Sequence, residues 1–140
     1  MTSGRRFWLW GAAVALAAGC AAAPTTKTDT GAEAAARAYC EALARQDWAA
    51  AYAALHLDSR ARFDADEFAR LARAHRGRMG FEPEGVVVQS CEEHDAEAVA
   101  HVVFTGKAGG KGRSFKDGVA LRRGAAGWGV VLPPGFGKEH

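Results

Sequence analysis

Proton-transfer chemistry in this chain has one central candidate, His101, which stands between Val99 and Val103 in an alternating apolar run. A histidine lining an apolar cone can act as a general base near neutral pH, with Tyr39 or Tyr52 as the hydrogen-bond donor. Spacing supplies no acidic partner for it, and the same position suits a buried, hydrogen-bonded structural histidine. Glu92, Glu93, His94 and Asp95 offer four ligand types in succession, but adjacent residues of a hairpin turn point apart, and the group reads as a solvated turn. His56 with Asp58 follows the end of a predicted helix, where a histidine serves as a favourable cation beside the dipole. The run Gly106-Lys107-Ala108-Gly109-Gly110-Lys111-Gly112 is one residue short of a phosphate-loop spacing and ends in Gly where Ser or Thr is needed. It reads as a flexible hairpin that forms a local basic patch with Arg113 and Lys116. His-Glu-x-x-His and Cys-x-x-Cys patterns are both absent, so no metal or cofactor site is expected.

A different chemistry, lipidation, is indicated at Cys20. Arg5 and Arg6 form a charged head, Phe7 to Ala18 an apolar stretch, and Leu16-Ala17-Ala18-Gly19-Cys20 ends it with small residues before the thiol. The segment resembles the lipobox of bacterial prolipoproteins, with Ala17 where Leu is commonest. The resemblance implies cleavage before Cys20, a diacylglyceryl group on its sulfur and acylation of the new amine. Residues 1–19 are then a signal peptide, and residues 20–32 a lipidated cysteine with a flexible tether. Two other readings stay open. Phe7 to Ala23 gives 17 apolar or small residues, the lower edge of a bilayer-spanning anchor, and an ordinary signal peptide needs the same small residues. Arg5-Arg6-Phe7-Trp8-Leu9 loosely resembles a twin-arginine signal, although Gly4 replaces its Ser or Thr. The expected location is the bacterial cell envelope, at the periplasmic face of the outer membrane, because Ala21 does not match the Asp of an inner-membrane retention signal.

With Cys20 acylated, Cys40 and Cys91 remain as an even pair in an oxidising compartment. A bridge between them would contribute roughly 4 kcal/mol on the chain-entropy model; two buried thiols acting as small apolar residues are the alternative. The whole chain carries 18 basic and 16 acidic side chains. Removal of residues 1–19 takes away Arg5 and Arg6, so the remaining 16 basic groups balance the 16 acidic ones. No global field is left to attract nucleic acid, and none is expected as a partner.

The elements that position these residues divide into helices and then strands. Ala36, Tyr39, Cys40 and Leu43 fall on one stripe of a helix over residues 33–45. Asp47 caps a second helix over Trp48 to Leu57, with Trp48, Tyr52 and Leu55 on one face. Asp64 and Glu67 form a capping box, with Phe63 and Phe68 at the staple positions, so a third helix starts near Ala65. Phe68, Leu71, Ala72 and His75 line its apolar side, and Gly77 and Gly80 end it. Beyond Pro83 the period becomes alternating. Gly85 to Cys91, Ala96 to Thr105, Arg113 to Arg123 and Trp128 to Leu132 read as four strands, with a bulge suggested at Gly118. Pro133-Pro134 stops the last one.

Helices followed by a strand meander predict an α+β domain over residues 33–133, with the N-terminal helices packed on a curved four-stranded antiparallel sheet and a flexible tail over 134–140. The order of elements resembles the nuclear transport factor 2-like superfamily, a cone-shaped, cystatin-like architecture that includes SnoaL-like domains and small bacterial lipoproteins. The residues that carry the likeness are Tyr39, Leu43, Asp47-Trp48, Ala51-Tyr52, Leu55, Phe63, Phe68 and the closing Gly127-Trp128-Gly129-Val130-Val131. They are core positions, so the resemblance transfers no catalytic residue. It implies a pocket bordered by Tyr39, Tyr52, His101 and Trp128. The expected function is a lipid-anchored, non-catalytic binding or accessory module for an envelope protein or a small apolar ligand. The alternative is a small-molecule isomerase or hydrolase, and either is compatible with a homodimer through the outer sheet face.

Overall fold

The computed structural model describes residues 30–138. Among these residues four helices precede four strands: α1 (Ala32–Ala44), α2 (Trp48–Ala53), α3 (Leu57–Arg62), α4 (Ala65–Gly77), β1 (Glu82–His94), β2 (Glu97–Ala108), β3 (Lys111–Gly124) and β4 (Gly127–Val131). The strands form one antiparallel meander in the order β1-β2-β3-β4. The fold class is α+β, as the sequence predicts.

The helix starts follow from their caps. The Asp47 carboxylate accepts from Ala50 N at 3.1 Å, and the Asp64 carboxylate accepts from Glu67 N at 2.8 Å. Each satisfies an amide that the first helical turn leaves without a partner, worth about 1 kcal/mol. On α1 the expected stripe of Ala36, Tyr39, Cys40 and Leu43 is buried, joined by Ala32 and Ala42. The small residues on both surfaces let α1 lie close against β1 and β2, where Ala98 and Ala100 face the core beside Val102 and Phe104.

Four expectations are corrected. The second helix stops at Ala53, and a separate helix, α3, begins after His56. His56 therefore caps the start of α3 through Nδ1, which accepts from Asp58 N at 3.2 Å, and does not complement a helix C-terminus. Gly118 carries no bulge: β2 and β3 pair without a break from Glu97↔Arg122 to Ala108↔Lys111. The irregularities lie in β1, between Pro83 and Gly85 and between Val88 and Ser90. An edge strand tolerates Pro83, whose ring nitrogen has no hydrogen to donate to the ladder. Finally, residues after 133 are not a loose tail, since Phe136 is buried in the core.

The Gly106–Gly112 run is the β2–β3 hairpin, turning through Gly109 and Gly110, both with positive φ. A two-residue turn with that backbone matches strand twist and favours glycine at both positions. Glu92 to Asp95 lead into the β1–β2 turn, and among the described residues no cluster of metal-ligating side chains forms. No helix among the described residues is long and apolar enough to cross a membrane.

Residues 54–56 act as a short extension of the sheet beside β4. Val130 N donates to Ala54 O at 2.9 Å, and His56 N donates to Val130 O at 2.8 Å. This approach requires glycine at 129: a methyl group there would stand 2.6 Å from His56 Cα and 2.7 Å from its backbone nitrogen. Gly129→Ala is expected to destabilise the fold by about 1–3 kcal/mol through backbone displacement. The readout is a lower urea midpoint with an unchanged slope. A variant with the wild-type midpoint would show that this approach is not tight in solution.

Candidate functional site

The interior end of the sheet holds a small cavity of about 40 Å³ between α1, α4, β3 and β4. Two polar side chains meet there. His75 on α4 places Nε2 2.9 Å from Asp117 Oδ2 on β3, with both side chains largely buried. A carboxylate accepts only, so Nε2 carries the hydrogen of this bond. Asp117 also turns its other oxygen, Oδ1, toward Gly118 N at 2.9 Å. The pair is thus oriented from the sheet side by a backbone amide.

Tyr39 lines the same cavity from α1 and is 3% exposed. Burial pushes its phenol well above the ordinary value, and electrostatic coupling to Cys40 and Asp117 pushes in the same direction. At neutral pH it is a neutral hydroxyl that can donate. Cys40, the next residue on α1, is pushed up to about 12, first by burial and then by Asp117 and Glu41. A thiol in that state is inert as a nucleophile. Cys40 and Cys91 are both buried thiols, on the facing elements α1 and β1, and are not joined in a disulfide in this structure.

The segment after β4 borders the cavity through Leu132, Pro133 and Phe136. Phe136 stacks on Phe68 with ring centroids 6.0 Å apart and planes 8° apart, and its ring lies 4.9 Å from that of His75. The segment is held at both ends. Leu132 N donates to Ser59 Oγ at 3.0 Å, Arg62 Nη1 donates to Leu132 O at 3.0 Å, and Arg78 donates to Lys138 O. Ser59 is fully buried, which accounts for a polar residue on the inner side of α3.

The four pocket residues expected from sequence do not converge. Tyr39 alone lines this cavity. Tyr52 packs on Phe68 at 5.7 Å, and its hydroxyl donates to Phe63 O at 2.9 Å, tying α2 to the start of α4. His101 is exposed on the opposite face of the sheet, with Val99 beside it at 42% exposure. It is not the buried structural histidine expected, and it lines a groove on that outer face with Gln89, Ser90 and Lys116, without Tyr39, Tyr52 or Trp128. Trp128 sits at the other end of β4, where its indole Nε1 donates to Thr30 Oγ1 at 2.8 Å and Arg123 lies 4.8 Å over its ring. Both pocket residues missed from sequence left a signal. His75 continues the apolar stripe of its helix, and Asp117 falls in phase with the inward-facing Phe115, Val119 and Leu121. Two polar side chains at core-facing positions on different elements invite pairing.

No protein-family model matches this chain, and no curated protein matches it. Solved structures do. A Campylobacter jejuni protein described as an NTF2-like transpeptidase superposes with a TM-score of 0.56 at 16% identity, covering 72% of this chain and 97% of that one. A SEC-C motif containing protein from Rhodopseudomonas palustris superposes with a TM-score of 0.52 at 19% identity, covering 71% of this chain and 73% of that one. At such identities the likeness is one of fold, and the α+β architecture is NTF2-like.

Proposed function

We propose that this chain is a lipid-anchored protein of the bacterial cell envelope and that its NTF2-like domain is a non-catalytic binding or accessory module. The observation that carries the second half is the small size of the cavity between the helices and the sheet. A cavity of about 40 Å³ holds little more than one water molecule, whereas small-molecule sites occupy roughly 300–1,000 Å³. The first half rests on Leu16-Ala17-Ala18-Gly19-Cys20 and on the polar, small-residue run Ala21 to Thr30, which has no large apolar side chain to support a fold. Residues 1–29 lie outside the described part of the chain.

The anchor is tested by Cys20→Ser in the host. Labelled fatty acid incorporated by the wild-type chain should be lost completely in the variant, and the protein should leave the membrane fraction. A wild-type chain without acyl label would remove the anchor from the proposal. A second reading, small-molecule isomerase or hydrolase, is favoured by the His75–Asp117 pair beside the Tyr39 hydroxyl, a donor and an acid–base pair on one cavity. It requires the Phe136 segment to move. Turnover of a small substrate that Asp117→Asn abolishes while folding is intact would establish it over the accessory reading.

A further inference from the structure

The outer face of the sheet, away from the helices, carries a groove of about 510 Å³ lined by Gln89 and Ser90 on β1, His101 on β2, and Lys116 and Gly118 on β3. Small-molecule sites occupy roughly 300–1,000 Å³. The outer groove falls in that range, and the inner cavity does not. Strand register builds it. His101 stands between Ser90 and Gly118, and in the next row Val103 stands between Val87 and Lys116. Directly opposed residues have Cβ atoms about 5 Å apart and diagonal ones about 7–8 Å apart, so His101 and Lys116 flank the position of Gly118. That position is empty: Gly118 is exposed, and a methyl group added to it would meet no atom within 4 Å. On the opposite rim the irregularity between Val88 and Ser90 leaves Gln89 out of register, where a bulge re-aims a side chain.

The polar groups around the empty position are able to donate. Lys116 presents an ammonium, Gln89 an amide, Ser90 a hydroxyl, and His101 an imidazole that keeps at least one N–H in either tautomer. None of these four side chains takes part in a hydrogen bond or ion pair with another described residue. Asp117 is the one acidic residue lining the groove, and its carboxylate is engaged by His75 Nε2 and by Gly118 N, each at 2.9 Å. Val87, 53% exposed, and Val103 form an apolar strip beside Lys116. The complement of such a surface is an acidic group with a small apolar body attached.

We infer that this outer groove is a binding site for a small organic carboxylate, whose oxygens sit over Gly118 between the His101 N–H and the Lys116 ammonium and whose apolar body lies on Val87 and Val103. The inference rests on the reading of the domain as a binding module and supplies its site and ligand class; it does not depend on the anchor. The catalytic alternative is tested at Asp117 on the inner side of the sheet, so failure of one is distinguishable from failure of the other.

The test is a titration of the full chain in detergent micelles with sodium benzoate at constant ionic strength, followed by nitrogen–proton NMR of the Val87, His101 and Gly118 amides. These signals should shift saturably with benzoate and not with benzamide, which has the same shape and no charge. Lys116→Gln should weaken binding about three- to fivefold, the size of one solvent-exposed charge pair. Gly118→Val should abolish the saturable shifts at Val87 and His101 by filling the seat. It should fold, because Gly118 is paired in register outside the left-handed region and has open space above it. Lys111→Gln removes a charge five residues along β3, about 17 Å away and beyond the screening length of about 10 Å at 0.1 M salt, so it should leave binding intact. Equal shifts with benzamide, or shifts that survive Gly118→Val, overturn the site. Shifts at Tyr39 and Val130 in place of Val87 and Gly118 would move the ligand to the inner cavity, overturning this site while sparing the binding reading. Val87 and Gly118 signals that change on dilution of the ligand-free chain would show a second copy covering the groove, which also overturns it.

Discussion

Phe136→Ala should lower the unfolding free energy by about 3–5 kcal/mol, the range for deleting a buried aromatic ring from a core. The ring is 5% exposed, stacks on the fully buried Phe68 and touches His75. Its removal would also join the vacated volume to the cavity beside Tyr39 and Asp117. An apolar cavity of that kind can take up a small aromatic such as benzene. Addition of benzene should therefore raise the midpoint of the variant while leaving the wild type unmoved, since a ligand that prefers the native state stabilises it by mass action. Urea unfolding with and without benzene reads both effects. A loss below about 0.5 kcal/mol, the level of a surface substitution, would mean that the segment after β4 is not docked in solution.

That segment also shows where sequence reading ran out. Pro133-Pro134 correctly ended the sheet, but a single aromatic two residues later has no periodicity to reveal that it returns to the core. Helix α3 escaped for a related reason. Its six residues, Leu57–Arg62, expose Leu57 and bury Ser59, the reverse of an amphipathic pattern, because Ser59 is there to bond Leu132 N. Tertiary hydrogen bonding overrode local pattern. In contrast, the starts of α2 and α4 were legible because Asp47 and Asp64 satisfy local amides, an interaction confined to four residues.

His101 failed differently. Alternation correctly placed Val99, His101 and Val103 on one face of β2 and Ala98, Ala100, Val102 and Phe104 on the other. Both faces are apolar enough to be the inner one, so period alone could not choose between them. Close packing of α1 selected the face with the two alanines, and His101 was left on the outside. The candidate site was thus half legible. Its residues stood at core-facing positions in the sequence, but the pairing of His75 with Asp117, 42 residues apart, depends on how α4 crosses the sheet.

Alkaline conditions should weaken this fold in a way that Cys40 controls. Its thiol is raised from 9.0 to about 12 by burial and by the nearby charges of Asp117 and Glu41. A group raised in the folded state contributes its full stability below its unfolded value and loses that contribution as pH rises toward the folded one. The affected window therefore runs from pH 9.0 to about 12. Within it the unfolded thiol ionises while the folded thiol does not, which costs about 1.4 kcal/mol per pH unit and about 4 kcal/mol across the window. Tyr39 adds to the loss above its ordinary value of 10.0, since its phenol is raised by the same burial. Cys40→Ala keeps a small apolar side chain on the α1 stripe and removes the ionisable group. Urea unfolding of both chains at stepped pH under reducing conditions should give a steeper alkaline decline for the wild type, with the two lines diverging above pH 9.0. Parallel lines would show that Cys40 is solvated in the native state, and the packing of α1 against the sheet would then have to be looser than the structure describes.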